Sequence, residues 1–190
     1  MKKILKGTIS LILMISFIIQ KPYNAKATYR FYVISEKQEK SNWCWIATAR
    51  GIASLSALVH NTQAEGVAAV KGSVKNVGGK AKDIEAGAEF FSDGLNFTVI
   101  SRPLTFNEIK KEIDKGHLIG VTWGYYIGNV SMHGHAVFIV GYNDNDGNEN
   151  VVYCETDSGK ILQKPYSEIV SKYIDGEHRI YERSIYVNYK

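Results

Sequence analysis

The stretch Gln38-Glu39-Lys40-Ser41-Asn42-Trp43-Cys44-Trp45 places a cysteine at the expected start of a long helix, with Ser41 or Asn42 available as its cap. The partial positive charge of a helix start favours thiolate over thiol, and a thiolate is a strong nucleophile. The same helix end offers free backbone N–H groups. Gln38, six residues before Cys44, lies on the loop entering the helix, where its amide can join the Cys44 N–H in holding a developing oxyanion. A base comes from Met132-His133-Gly134-His135-Ala136-Val137-Phe138. A histidine that opens an apolar strand can face a nucleophile on a packed helix, take its proton and return it to a leaving amine. His135 directly precedes the apolar run and is backed by small Ala136, while His133 has the same parity, so periodicity alone leaves both open.

A catalytic imidazole needs a third group to fix its tautomer and orientation. Tyr153-Cys154-Glu155-Thr156-Asp157-Ser158-Gly159 supplies two candidates, because Tyr153, Glu155 and Asp157 share one face of a regular strand and Cys154 points away. Asp157, at the strand end, is the first choice and Glu155 the second. The competing readings are structural. Cys44 can be a small buried apolar residue, or pair with Cys154 in an exported chain. The strand parity argues against that bridge and against a catalytic Cys154. His60 and His117 are expected to be structural, and His178 has no partner that the sequence identifies.

The elements that must position these residues follow from local pattern. Asn42 to Val59 has Ala, Ile and Leu at helical spacing, with Ile46, Ala49, Ala53 and Ala57 on one small-residue stripe that invites close packing. Asn61 to Val70 and Ala81 to Phe91 read as shorter helices separated by Gly78-Gly79. Thr105-Phe106-Asn107-Glu108 is a capping box, and Gly116 stops the helix it opens. Thr28 to Val33, Leu95 to Ile100, Leu118 to Tyr126, Ala136 to Tyr142, Val151 to Thr156 and Ile180 to Tyr189 read as strands. The polar run from Asn143 to Asn148 is the turn of a hairpin. Helices first and antiparallel strands second make an α+β domain.

Met1 to Ala27 has the parts of a secretory signal: Lys2, Lys3 and Lys6, an apolar run from Ile9 to Ile19, and Ala25-Lys26-Ala27 before an expected cut at Thr28. Eleven residues are too few to span a bilayer, which takes about 20. Residues 28–190 are therefore expected to be one exported, soluble domain. The chain has 190 residues and a formal charge of +4, but five lysines and no acid lie in the leader. The rest holds 18 basic and 19 acidic residues, which removes the electrostatic support for a nucleic-acid partner. Two cysteines are too few for a disulfide scaffold or a zinc finger, and no metal or cofactor motif is present, so no cofactor is expected.

Taken together, Gln38, Cys44-Trp45 at a helix start and a distant His135-Ala136 opening a strand that ends Val140-Gly141-Tyr142 resemble the papain superfamily. Asn42-Trp43-Cys44, the compact size, Tyr166-Ser167-Glu168-Ile169 and Ser184-Ile185-Tyr186 look most like its secreted bacterial branch of staphopain-like peptidases. The resemblance implies a papain-like peptidase domain over residues 28–190, with Cys44 as nucleophile, His135 as base and Gln38 in the oxyanion hole. It implies a protein or peptide substrate, no membrane association once the signal is removed, a monomer, and room for a protein inhibitor. Two departures stand out. Asp157 is followed by Ser158-Gly159 rather than by the family's usual turn, and only sixteen residues separate Thr28 from Cys44, too few for an inhibitory propeptide. The same Cys, His, Asp order also serves transglutaminases, deamidases and cell-wall amidases. A non-enzymatic binding protein of this fold would be expected to lack Gln38, Cys44 or His135.

Overall fold

The structure, a computed structural model, describes residues 29–127, 130–171, 173–174 and 177–188. The expected signal segment and its cleavage site lie outside the described residues. Among the described residues there are five α-helices: α1 (Cys44–Ala53), α2 (Gln63–Lys71), α3 (Ala81–Phe91), α4 (Phe106–Asp114) and α5 (Tyr166–Val170). The strands are β1 (Tyr29–Phe31), β2 (Phe97–Ile100), β3 (Ile119–Ile127), β4 (Val130–Asn143), β5 (Asn150–Glu155), β6 (Lys160–Pro165), β7 (Tyr173–Ile174) and β8 (Glu177–Val187). Every pairing is antiparallel, in the order β2-β8-β3-β4-β5-β6, with β1 on the far end of β4 and β7 on β8. The α+β expectation holds. Among the described residues, no helix is long and apolar enough to cross a membrane.

The small-residue stripe explains how α1 is fixed. Ile46, Ala49 and Ala53 are fully buried. A Cβ added at Gly87 of α3 would stand 2.9 Å from the Ile46 side chain and 3.0 Å from Ala49 Cβ, so the helices meet where only hydrogen fits. On its other side α1 meets the sheet through Gly51, where a Cβ would lie 2.5 Å from the Phe138 ring of β4. Helix and sheet are held at a separation set by glycine, which fixes the start of α1 relative to β4. Close packing of this kind gives a core little freedom to shift.

Three expectations change. Helix α1 stops at Ala53 rather than near Val59: Ser54 donates its hydroxyl back to the Gly51 carbonyl at 2.7 Å, a local bond that competes with helix continuation. Strand β6 is an additional edge strand whose polar residues, Lys160, Gln163 and Lys164, hide its pattern. The short α5 and β7 were likewise not expected. By contrast, α3 has the expected bounds, and Thr105 caps α4 with Glu108 closing the capping box.

Candidate active site

Cys44 is the first residue of α1 and is half-buried. The helix has no side-chain cap, contrary to the expectation for Ser41 or Asn42. Both side chains are occupied with Asn76: the Asn42 amide donates to the Asn76 carbonyl at 3.1 Å, and the Asn76 amide donates to Ser41 Oγ at 3.0 Å. The two neighbouring tryptophans reinforce this clasp. Trp43 and Trp45 donate their indole N–H groups to the carbonyls of Lys75 and Val77, at 2.8 and 2.9 Å. The 75–77 segment is thereby stapled to the helix start, and Gly79 lies so close to the Trp45 ring that a Cβ would approach it to 2.4 Å.

Across a cleft of about 1090 Å³ stands His135, only 10% exposed, on β4. Its Nε2 pairs with Glu155 Oε1 at 2.5 Å, and the Cys44 side chain acts on the same ring electrostatically. Three elements, α1, β4 and β5, thus converge on one imidazole. Trp123, opposite His135 in the β3–β4 register, flanks the ring at a centroid distance of 6.3 Å, and Tyr153 meets Trp123 edge-on at 5.9 Å. Burial pushes the His135 imidazole toward its neutral form. The bonds and charges of Cys44 and Glu155 outweigh that effect and hold its pKa up at about 10. For Glu155, burial raises the carboxyl pKa, but the His135 bond and charge, the Asp157 N–H and the Arg179 charge bring it below its ordinary value.

The third position is where sequence and geometry differ. Asp157 lies beyond the end of β5, in the turn to β6, and is exposed. Its backbone N–H donates to Glu155 Oε1 at 3.4 Å, and its carboxylate lies within 4.8 Å of the His135 and Glu155 ligand atoms. Glu155, not Asp157, makes the hydrogen bond to the ring. The physical reason is position: Glu155 is the last residue of β5 on the face shared with Tyr153, while the chain has already turned at Asp157. His133, the other histidine of the pair, is exposed and stacks on Tyr125 at 4.3 Å, and it too lines the cleft.

Gln38 is anchored at both ends of its residue. Its backbone N–H donates to the Thr156 carbonyl at 2.8 Å, and its side-chain amide donates to the Ser41 carbonyl at 3.2 Å. The loop entering α1 is thereby tied to the end of β5. Cys154 is fully buried and exchanges long hydrogen bonds with the Glu36 backbone at 3.4 and 3.5 Å, and burial pushes its thiol pKa up. Both cysteines are free thiols, so the Cys44–Cys154 bridge is not formed. Trp123 is the site residue that the sequence analysis missed. Its signal was the alternation of Trp123 and Tyr125 on a strand adjacent to the histidines.

No family model matches the chain, and no curated protein sequence does. Solved structures do. The digestive procathepsin L2 proteinase from Tenebrio molitor larval midgut superposes with a TM-score of 0.51 at 12% identity, over 82% of this chain and 65% of that one. A structure from a study of antibody cross-reactivity between the mite allergens Blo t 1 and Der p 1 gives 0.53 at 11% identity, over 90% of this chain and 74% of that one. The chain has the papain-like fold, and it spans about two-thirds of the length of the procathepsin.

Proposed function

We propose that this protein is a cysteine endopeptidase of the papain-like class, exported by its N-terminal segment and acting on protein or peptide substrates. The observation that carries this reading is one imidazole, His135, bonded to Glu155 and lining an open cleft together with Cys44 at a helix start. Cys44 attacks the scissile carbonyl. The protonated His135 delivers its proton to the departing amine, and the ring, neutral again, activates the water that releases the acyl group. Glu155 keeps the ring oriented and stabilises its cationic form. The uncapped N–H groups at the start of α1 and the Gln38 amide serve the oxyanion.

Cleavage of an unstructured protein such as casein by the purified protein under reducing conditions tests this reading, with Cys44→Ala as the control. The expected result is cleavage by the wild type alone. Modification of Cys44 without any cleavage would transfer the reading to another acyl transferase or amidase of the same layout.

A further inference from the structure

The sheet side of the cleft carries a carboxylate for which the fold makes specific room. Strand β8 pairs Arg183 with Thr122 but Tyr181 with Trp123, so Glu182 is the extra residue of a bulge. Bulges beside functional sites re-aim a side chain that regular pairing would place elsewhere. Glu182 is received at Gly124, where a Cβ would lie 2.6 Å from Glu182 Oε1 and 2.9 Å from its carboxyl carbon. No residue with a side chain fits there while Glu182 holds this position. The Tyr126 hydroxyl donates to the same Oε1 at 2.5 Å. The other oxygen, Oε2, meets only the Arg183 guanidinium among the bonds described, at 3.1 Å, and Arg183 is itself 45% exposed. An ion pair exposed to that degree is weak, so Arg183 can yield Oε2 at little cost.

Glu182 and Arg183 line the same cleft as Cys44 and His135. We propose that Glu182 is the specificity-determining residue of a substrate subsite for a basic side chain, Lys or Arg, close to the scissile bond. An ammonium or guanidinium entering the cleft replaces Arg183 on Oε2, while Tyr126 and the bulge hold the carboxylate in place, so little ordering cost falls on the enzyme. Lys80 and Lys82 also line the cleft, from the start of α3, and Lys82 is paired with Glu85. This inference rests on the cleft being the substrate site of a cysteine nucleophile.

The test uses peptidyl chloromethyl ketones that alkylate a cysteine nucleophile, with Lys, Leu or Glu at each of the two residues preceding the reacting carbonyl. At one of these positions the Lys probe is expected to modify Cys44 about tenfold faster than the Leu probe, the size of effect one charge-assisted hydrogen bond supplies. In Glu182→Gln, the Lys-to-Leu rate ratio should fall toward unity. Tyr126→Phe, which keeps the carboxylate but loosens it, should narrow the same ratio. Equal Lys and Leu rates at both positions in the wild type overturn the proposal, as does a ratio unchanged in either variant. Failure of every probe to modify Cys44 is a different result: it removes the nucleophile reading, and this inference with it.

Discussion

Among the described residues, two histidine–glutamate pairs have similar separations, and one of the two lines the cleft beside a thiol. At the end of α4, His117 Nδ1 meets Glu112 Oε2 at 2.7 Å, the His117 N–H donates to the Glu112 carbonyl, and Lys115 bonds the other carboxylate oxygen at 2.8 Å. All three residues lie within six positions of sequence, and the cluster finishes a helix. In the cleft, His135 Nε2 meets Glu155 at 2.5 Å across 20 residues of sequence, and the ring lines the same cleft as a thiol supplied by a third element. Both rings are largely buried, with side chains 10% exposed in each case. A buried His–carboxylate pair is therefore not a site in itself. It becomes one when a nucleophile shares an open cleft with the imidazole.

The largest expected effect breaks the cleft pair and spares the other. Cys44→Ala and His135→Ala should each abolish measurable hydrolysis with the far-UV circular dichroism unchanged. His117→Ala should retain hydrolysis per folded molecule but lose about 1–3 kcal/mol in urea denaturation, because Glu112 loses a buried partner. Hydrolysis that survives in His135→Ala but not in His133→Ala would move the base by two residues.

The next effect separates the two carboxylates. Glu155→Gln removes the charge that orients and stabilises the ring, and kcat is expected to fall on the order of 10²–10⁴-fold. Asp157→Asn, at an exposed turn residue that touches Glu155 only through its backbone, should cost less than about tenfold, a loss well below that of Glu155. The reverse order would restore Asp157 as the third residue. Gln38→Ala should leave alkylation of Cys44 largely intact while kcat drops about 10²–10³-fold, the usual loss for one oxyanion donor. An unchanged kcat would reduce Gln38 to a strut between Thr156 and Ser41.

The smallest effect is on the pH dependence of stability. The His135 pKa is raised from 6.5 to about 10 in the folded state, so its protonation contributes stability fully below about pH 6.5 and loses it as pH rises toward 10. The Glu155 pKa is lowered from 4.5, so its ionised form contributes above about pH 4.5 and loses that contribution as pH falls through the folded value. Urea denaturation of the wild type and His135→Ala from pH 4 to pH 10 should show the largest difference between about pH 5 and 6.5. The difference should shrink toward pH 10. A difference independent of pH would contradict the ion pair.

Local chemistry made parts of this structure legible in the sequence. Thr105 and Glu108 announce α4 because a capping box satisfies helix-end N–H groups with neighbours three residues apart. The Cys44 position was legible because it opens a helix, and helix starts have local signals; His135 was expected just ahead of its strand, whereas β4 begins at Val130 and carries His135 within it. What stayed hidden depends on tertiary contacts. Ser41 and Asn42 look like caps until Asn76, more than thirty residues away, engages them. Glu155 and Asp157 have the same parity, and only the path of the chain at the β5 end decides which one reaches the ring. Strand β6 was illegible because an edge strand buries little and so carries no clean alternation.

The central claim is that His135 and Glu155 make Cys44, and not Cys154, the reactive thiol of this chain. An epoxide of the kind that traps papain-type nucleophiles, applied to the native protein and mapped by peptide mass spectrometry, tests it most directly. The account predicts one modified residue, Cys44, with the rate of modification falling strongly in His135→Ala and Glu155→Gln. Modification of Cys154, or equal rates at Cys44 in the wild type and both variants, would contradict it.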